Sequence, residues 1–450
     1  MHILIIVRKG SAGLNIRIYN ARILTMEQGR EIFEGEIQIK DNRIAYVGPT
    51  KIQNLTRKEI IRNAANWDRE IDAKGNLIMP GFKNAHTHSA MVFLRSFADD
   101  LPLDMWLDTK VFPAEKKLTG EDIYTLCKLA IMEYLTSGIT ANFDMYLDPD
   151  QMARASMDTG FRTVICGAMN DFTHSPEEME QWYLKYRDPD KLVTYQLGFH
   201  AEYTTSREKL EQVAKLSQTY KAPVFTHSSE TAAEVLGCQT RYGCTPTELF
   251  EKLGLLEYGG GCFHCVHMTD TDLSIMKKKN IAVVTCPGSN LKLASGIADV
   301  QKMKNQGITV GIGTDGAASN NCLDMFREMF LVSGLGKVKS RDASAMDADE
   351  VLRMATVCGA QTMQLSDADV LAENKKADLI MIDLQQPNMQ PLHNISKNLV
   401  YSGSKSNVKL TMVDGKILYE DGEFSIGVTK EQIYEEAASI VEKVTASAAP

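Results

Sequence analysis

Between residues 14 and 79, apolar and polar positions alternate in short runs, NIRIYNARILTM and EIQIKDNRIAYVG, broken by turn residues such as Lys74-Gly75-Asn76. A period of two places the apolar side chains on one face, the pattern of half-buried strands. A stretch of the same character lies near the other end: ADLIMIDL, then VKLTMVDGKILYEDGEF, with Asp414-Gly415 and Asp421-Gly422 at hairpin-turn positions. The two stretches are expected to pair into one small composite β-sandwich, residues 14–79 plus 375–425.

Between them the pattern changes. Eight apolar runs read as buried parallel strands: NLIMPGFKNAH, GITANFDM, RTVICGA, LVTYQLGFH, PVFTH, GGCFHCVH, IAVVTC and ITVGIGTD. Amphipathic helical segments, such as EDIYTLCKLAIMEYLTS before Gly138 and REKLEQVAKLSQTY before Pro223, separate most of them. Strands alternating with helices predict an α/β fold, a (β/α)8 TIM-like barrel over residues 80–374. Residues 426–450 read as a C-terminal helix and a small-residue tail.

A length of 450 residues suits a large barrel with a small satellite, or two to three domains. Apolar residues make up 44% and charged residues 24%, ordinary soluble usage, and no apolar stretch approaches the ~20 residues that cross a bilayer. In MHILIIVRKG the basic residues follow a short apolar run, the reverse of a secretory signal. Nine irregularly spaced cysteines suit free thiols in a reducing compartment, so the cytoplasm is expected. A net charge of -9 without a Lys/Arg cluster argues against nucleic acid and favours a small neutral or zwitterionic substrate.

The candidate chemistry gathers at run ends. His86 and His88 flank Thr87 and point to the same face of a strand, about 7 Å apart. His227 ends the fifth run, His264 lies near the end of the sixth, and Asp315 ends the eighth. In a barrel these ends open on one mouth, where active sites of this fold lie. Three histidines and a carboxylate suit Zn²⁺, one per chain, with Fe²⁺, Mn²⁺ and Co²⁺ as competitors. A catalytic site would keep one position for a water whose pKa the metal lowers. Glu230, in HSSE, could stand beside that water or be an exposed residue at a helix start. His264 and His267, in HCVH, compete for one place at the mouth, with His264 nearer the strand end. Cys262 and Cys265 have a CxxC spacing with no second pair, and read as incidental.

The stretches MPGFKNAHTHSAM, LRSFADDLPLDMWL, HSSE, HCVHM, SNLKLASGIADV, GTDGAASNN and MQPLHNISKNLVYS resemble the amidohydrolase superfamily, and within it the 5'-methylthioadenosine/S-adenosylhomocysteine deaminases. The resemblance spans residues 14–425. It implies that His86, His88, His227 and Asp315 bind one zinc, and that Glu230, His264 and Asp315 act in catalysis. It further implies substrate contacts for Glu115, in VFPAEKK, at the ribose hydroxyls, and for His200, Glu230 and Trp106. Read alone, Glu115 is a solvated residue at a helix start. The implied reaction is hydrolytic deamination of an adenine nucleoside (5'-methylthioadenosine, S-adenosylhomocysteine, 5'-deoxyadenosine or adenosine) to the inosine analogue and ammonia. In it Asp315 and His264 orient the attacking water and accept its proton, while Glu230 protonates the ring nitrogen.

The same scaffold admits a guanine, 8-oxoguanine or pterin deaminase or an s-triazine hydrolase, for which Glu115 would have no sugar to hold. A zinc-stabilised barrel used only for binding would need neither Glu230 nor His264. The family resemblance also implies a homo-oligomer, a dimer or tetramer. Three places depart from the family pattern: Gly167 stands where some members place an arginine for a charged substrate tail, Phe199-His200-Ala201 lacks the usual Pro and Ser, and Thr285-Cys286 replaces a frequent His-Asn pair.

Overall fold

The computed structural model describes residues 14–50, 67–97, 99–101 and 103–445; the opening MHILIIVRKG and residues 446–450 of the tail lie outside the described residues. All eight apolar runs contain a barrel strand, two of which overrun them by one residue. In order these are Phe82–Thr87, Ile139–Met145, Arg162–Cys166, Val193–Gly198, Val224–Ser228, Gly260–His264, Ile281–Thr285 and Val310–Ile312, each parallel to the next. Nearly every residue in them is buried, as a parallel sheet covered by helices requires.

The first run is two strands rather than one. Leu77–Pro80 belongs to a second sheet, and the chain enters the barrel only after Gly81. A Cβ on Gly81 would lie 2.0 Å from Thr140 Cγ2, so only glycine passes here. Both strands are buried on both faces, which is why the apolar run gave no sign of the break.

The eighth strand meets the first through side chains as well as backbone. The Asp315 N–H donates to the His86 carbonyl at 3.0 Å, and the Thr314 N–H donates to Asn84 Oδ1 at 2.9 Å. A Cβ on Gly313 would lie 2.8 Å from the His86 carbonyl oxygen, so the close approach again demands glycine. This contact brings the strand-one histidines beside Asp315.

Both ends of the chain share the second, mixed sheet of nine strands. N-terminal strands Asn15–Ile23, Phe33–Lys40, Arg43–Gly48, Arg69–Asp72 and Leu77–Pro80 join C-terminal strands Leu379–Ile382, Val408–Val413, Lys416–Glu420 and Glu423–Phe424 through the antiparallel pairing of Leu77–Pro80 with Leu379–Ile382. Both Asp-Gly pairs make two-residue turns with positive φ, 51° and 74° at Asp414-Gly415 and 46° and 94° at Asp421-Gly422. Ile16, Ile18, Ile37, Ile39, Leu379 and Met381 alternate into a core of this sheet's own. The C-terminal helix, Lys430–Thr445, buries Ile433, Ala437, Ile440 and Val444 along one stripe and pairs Lys443 with Asp122 of helix Gly120–Thr136. Among the described residues no helix is long and apolar enough to cross a membrane.

Charges are also buried where the start of the third barrel strand meets the mixed sheet. Arg162 holds Asp378 through two bonds, Nε to Oδ2 at 2.6 Å and Nη2 to Oδ1 at 3.0 Å, and reaches Asp414 at 3.1 Å. Nearby, Lys83 Nζ donates to the Gly81 carbonyl at 2.8 Å and to Thr140 Oγ1 at 2.9 Å.

Candidate active site

At the opposite, C-terminal end of the strands, side chains from strands one, five, six and eight converge. Ligand atoms of His86, His88 and His227 lie within 4.8 Å of one another, and so do those of His86, His264 and Asp315. His227 Nε2 faces His86 Nε2 at 3.1 Å; Asp315 Oδ1 lies 3.2 Å from His88 Nε2 and 3.6 Å from His86 Nε2. Strand alternation explains the first pair: with Thr87 turned to Tyr134 and the Asp315 carbonyl, His86 and His88 face the mouth together.

The outer nitrogens decide what the inner ones can do. His88 Nδ1 bonds the Met145 carbonyl and His227 Nδ1 the His200 carbonyl, so each donates there and leaves an Nε2 lone pair inward. The His86 ring is fixed instead by stacking on Phe263, centroids 3.9 Å apart. Asp315 Oδ2 accepts from Ser289 and Ser319 at 2.6 and 2.7 Å, and Oδ1 accepts from the Gly316 N–H while also facing the imidazoles. Burial, reinforced by neighbouring imidazoles, pushes His86 and His227 well below the usual range, keeping them neutral as ligands must be. Burial acts the same way on His88, but the Asp315 carboxylate outweighs it and lifts His88 to about 9, so its Nε2 shares a proton with Asp315 that a cation would have to replace before the lone pair is available. Burial likewise opposes ionisation of Asp315, yet the histidines around it hold it well below the carboxylate range. Converging lone pairs and a carboxylate oxygen, each oriented from behind, fit a divalent cation.

Glu230 and His264 stand beside this cluster, His264 Nε2 3.9 Å from Glu230 Oε2. His264 Nδ1 bonds Asn290 Oδ1 at 2.8 Å, which makes Nε2 its free acceptor. His264 and Asp315 both have left-handed backbones, φ 68° and 58°, a conformation common at functional sites. Glu230 is 8% exposed and lies just before helix Ala232–Tyr242. Its Oε1 accepts from Ser295 at 3.1 Å, and its N–H is fixed by Glu234 at 2.8 Å. His267 is tied to the Ser295 carbonyl at 2.8 Å, which leaves His264 as the HCVH histidine within the cluster. Cys262 and Cys265 are both buried free thiols.

Of the remaining expected contacts, His200 and Glu115 lie close enough to the mouth histidines to feel their charge, and among the described residues Trp106 shows no such contact. The His200 ring lies 4.9 Å from that of His227, and its Nδ1 bonds Thr204 Oγ1 at 2.9 Å. Burial, helped by His88, lowers it to about 4, so it enters neutral. Glu115 is half-buried rather than solvated; burial pushes it up to about 7 against the pull of Tyr146 and His88. Trp106 precedes it in the same helical segment, its ring buried in the main apolar core.

The departures from the family pattern leave this geometry intact. Ala201 is buried under the His200 turn; the Thr285 and Cys286 carbonyls accept from the Gly313 and Asn290 N–H groups. Gly167 has no room for a side chain: a Cβ there would lie 2.6 Å from the Gly198 carbonyl oxygen. Residues absent from the sequence expectations complete the site: Ser289, Asn290, Ser295, Ser319 and Glu234. Their only advance signal was that SNLKLASG and GTDGAASNN contain four of them.

With this geometry in place, the comparisons with known proteins converge on one family. A model described as "Amidohydrolase family" matches residues 77–418. The chain belongs to the amidohydrolase family. As an amidohydrolase it is a metal-dependent hydrolase acting on C–N bonds. A protein of Pelotomaculum thermopropionicum named 5-methylthioadenosine/S-adenosylhomocysteine deaminase is 37% identical over 432 residues, covering 94% of this chain and 97% of the relative. One of the same name from Moorella thermoacetica is 39% identical over 423 residues, 92% of this chain and 96% of the relative. The solved structure of an adenosine deaminase from Xanthomonas campestris with bound zinc superposes with a TM-score of 0.89 at 29% identity, covering 97% of this chain and 99% of that one.

Proposed function

We propose that this amidohydrolase removes ammonia from the 6-position of an adenine nucleoside, with 5'-methylthioadenosine and S-adenosylhomocysteine as the first substrates to try. The observation that carries the proposal is the placement of two proton-handling groups, Glu230 and His264, on the edge of the imidazole–carboxylate cluster, 3.9 Å from each other. We assign His86, His88, His227 and Asp315 as ligands of one zinc ion. The metal, when bound, supplies a water acidic enough to be used as a nucleophile near neutral pH.

The chain's own residues then divide the work. His264, with Nε2 left free by Asn290, takes a proton from the attacking water, and the Asp315 carboxylate orients that water. Glu230, steadied by Ser295, gives a proton to the purine nitrogen beside the carbon under attack; of the two protons drawn from the water, one leaves on the amine as ammonia and the other replaces the proton that Glu230 gave. Glu115 receives the ribose hydroxyls, and His200 and Trp106 flank the nucleoside. A hydrolase of free bases or triazines would leave Glu115 nothing to hold.

An ammonia-release assay of the zinc-loaded protein against adenosine, 5'-methylthioadenosine, 5'-deoxyadenosine, S-adenosylhomocysteine, guanine and a triazine tests this directly. Turnover of the nucleosides is expected. Turnover confined to guanine or the triazine would overturn the assignment of Glu115.

A further inference from the structure

Three of the sequence stretches hold a residue with no part in that chemistry: Asp99 in LRSFADDLPLDMWL, Lys292 in SNLKL and Asn321 in GTDGAASNN. In the folded chain they meet. Lys292 Nζ donates to Asp99 Oδ1 at 2.6 Å, to the Ala318 carbonyl at 2.8 Å and to Asn321 Oδ1. The Asn321 side-chain nitrogen donates in turn to Ser96 Oγ at 2.9 Å and to Asp99 Oδ2 at 3.2 Å. An ammonium has three protons to give, and here all three have acceptors. Arg95 adds a tie from the same segment, donating to the Asn321 carbonyl and pairing with Glu133, which also accepts from the Leu323 N–H.

The position of this clasp matters more than its strength. Ser96 and Asp99 begin the segment that leaves barrel strand one and carries Trp106 and Glu115. Ala318 and Asn321 belong to the loop after strand eight, just past Asp315. Lys292 ends the helix Pro287–Lys292, whose Ser289 and Asn290 hold Asp315 and His264. One six-residue helix therefore touches two groups of the reaction centre at one end and the substrate-binding segment at the other. Lys292 is 22% and Asp99 30% exposed, so the pair alone would contribute little to stability.

We propose that Lys292 is a positioning residue for the substrate: through Asp99 and Asn321 it ties the chain at Ser96 and Asp99, ahead of Glu115, to the strand-eight loop and thereby sets where Glu115 meets the ribose. This rests on Glu115 being the sugar contact. A substrate contact displaced by about 1 Å can cost on the order of 10²-fold, so the clasp acts on binding geometry while leaving the metal ligands in place.

A double-mutant cycle on the zinc-loaded protein tests it, comparing Lys292→Met, Glu115→Gln and the pair, with Lys292→Arg as the conservative variant. KM and kcat are measured with 5'-methylthioadenosine, and affinity for the deaminated nucleoside is measured separately by calorimetry. Lys292→Met is expected to raise KM about tenfold and weaken the product as much, with kcat changed less than about threefold. Lys292→Arg should recover most of the loss, and the pair should be no worse than Glu115→Gln alone. Additive losses, or an unchanged KM in Lys292→Met while Glu115→Gln is impaired, overturn the proposal. If Glu115→Gln itself changes neither KM nor product affinity, the sugar-contact assignment fails and the role of Lys292 falls with it. Should Lys292→Met not fold, Asp99→Asn replaces it in the cycle under the same criteria.

Discussion

The two ends of the barrel both bury ionisable side chains, and they use them in opposite ways. At the base, Arg162 lies between Asp378 and Asp414, and the Lys83 ammonium rests on a carbonyl and a hydroxyl. At the mouth, imidazole nitrogens and a carboxylate oxygen point at one another, with His86 and His227 Nε2 only 3.1 Å apart. At the base each cation has hydrogen-bond acceptors of its own, two carboxylates for Arg162 and a carbonyl and a hydroxyl for Lys83; the mouth is a set of donors arranged for something held in common. Burial and charge are alike at both ends. What separates a site from a structural ion cluster is whether the groups satisfy each other.

Substitution should therefore cost rate at the mouth and stability at the base. Glu230→Gln is expected to lower kcat by about 10²–10⁴-fold while metal content, measured by elemental analysis, stays at the parent value. A near-normal rate would remove Glu230 from the mechanism. Arg162→Met strands Asp378 without its cation and should lower unfolding free energy by about 3–5 kcal/mol in denaturant titration, with kcat of the folded protein unchanged. A comparable fall in kcat would mean that the ends are coupled.

Lys83 makes a finer test. Burial pulls it down to about 8, against ~10.4 for an unfolded chain, so between these values the unfolded state binds the extra proton and stability rises with pH. Lys83→Met should lack this rise, and its stability difference from the parent should shift by about 3 kcal/mol across the window. A constant difference from pH 7 to 11 would refute it. The smallest effect is expected from Asn290→Ala, which frees the His264 tautomer: about tenfold in kcat with metal retained. An unchanged rate would show that His264 needs no partner to present Nε2.

Much of the barrel was legible because buried strands leave local traces. All eight strands fall within apolar runs or overrun them by one residue, and the mouth residues sit at or just past the ends of those runs, where the period of two assigns His86 and His88 one direction. The break at Gly81 was not legible, since Leu77–Pro80 and Phe82–Thr87 are equally buried and only the proximity of Thr140 reveals what the glycine is for. Glu115 read alone as a solvated helix start because nothing near it in sequence shows that it is half-buried at the mouth. The reason for a glycine at 167 was hidden in the same way, its constraint coming from Gly198 on the adjacent strand.

By itself, the sequence determined which residue types stand at the strand ends, and hence that three histidines and a carboxylate are offered at one mouth. Only the tertiary structure decided how they are held: His88 by the Met145 carbonyl, His227 by that of His200, His264 by Asn290, and Asp315 by Ser289 and Ser319. The physical reason is range. Periodicity is written in neighbouring residues, whereas the proton on an imidazole answers to a partner that arrives only when neighbouring strands pair: 57 positions away for His88, 27 for His227 and 26 for His264.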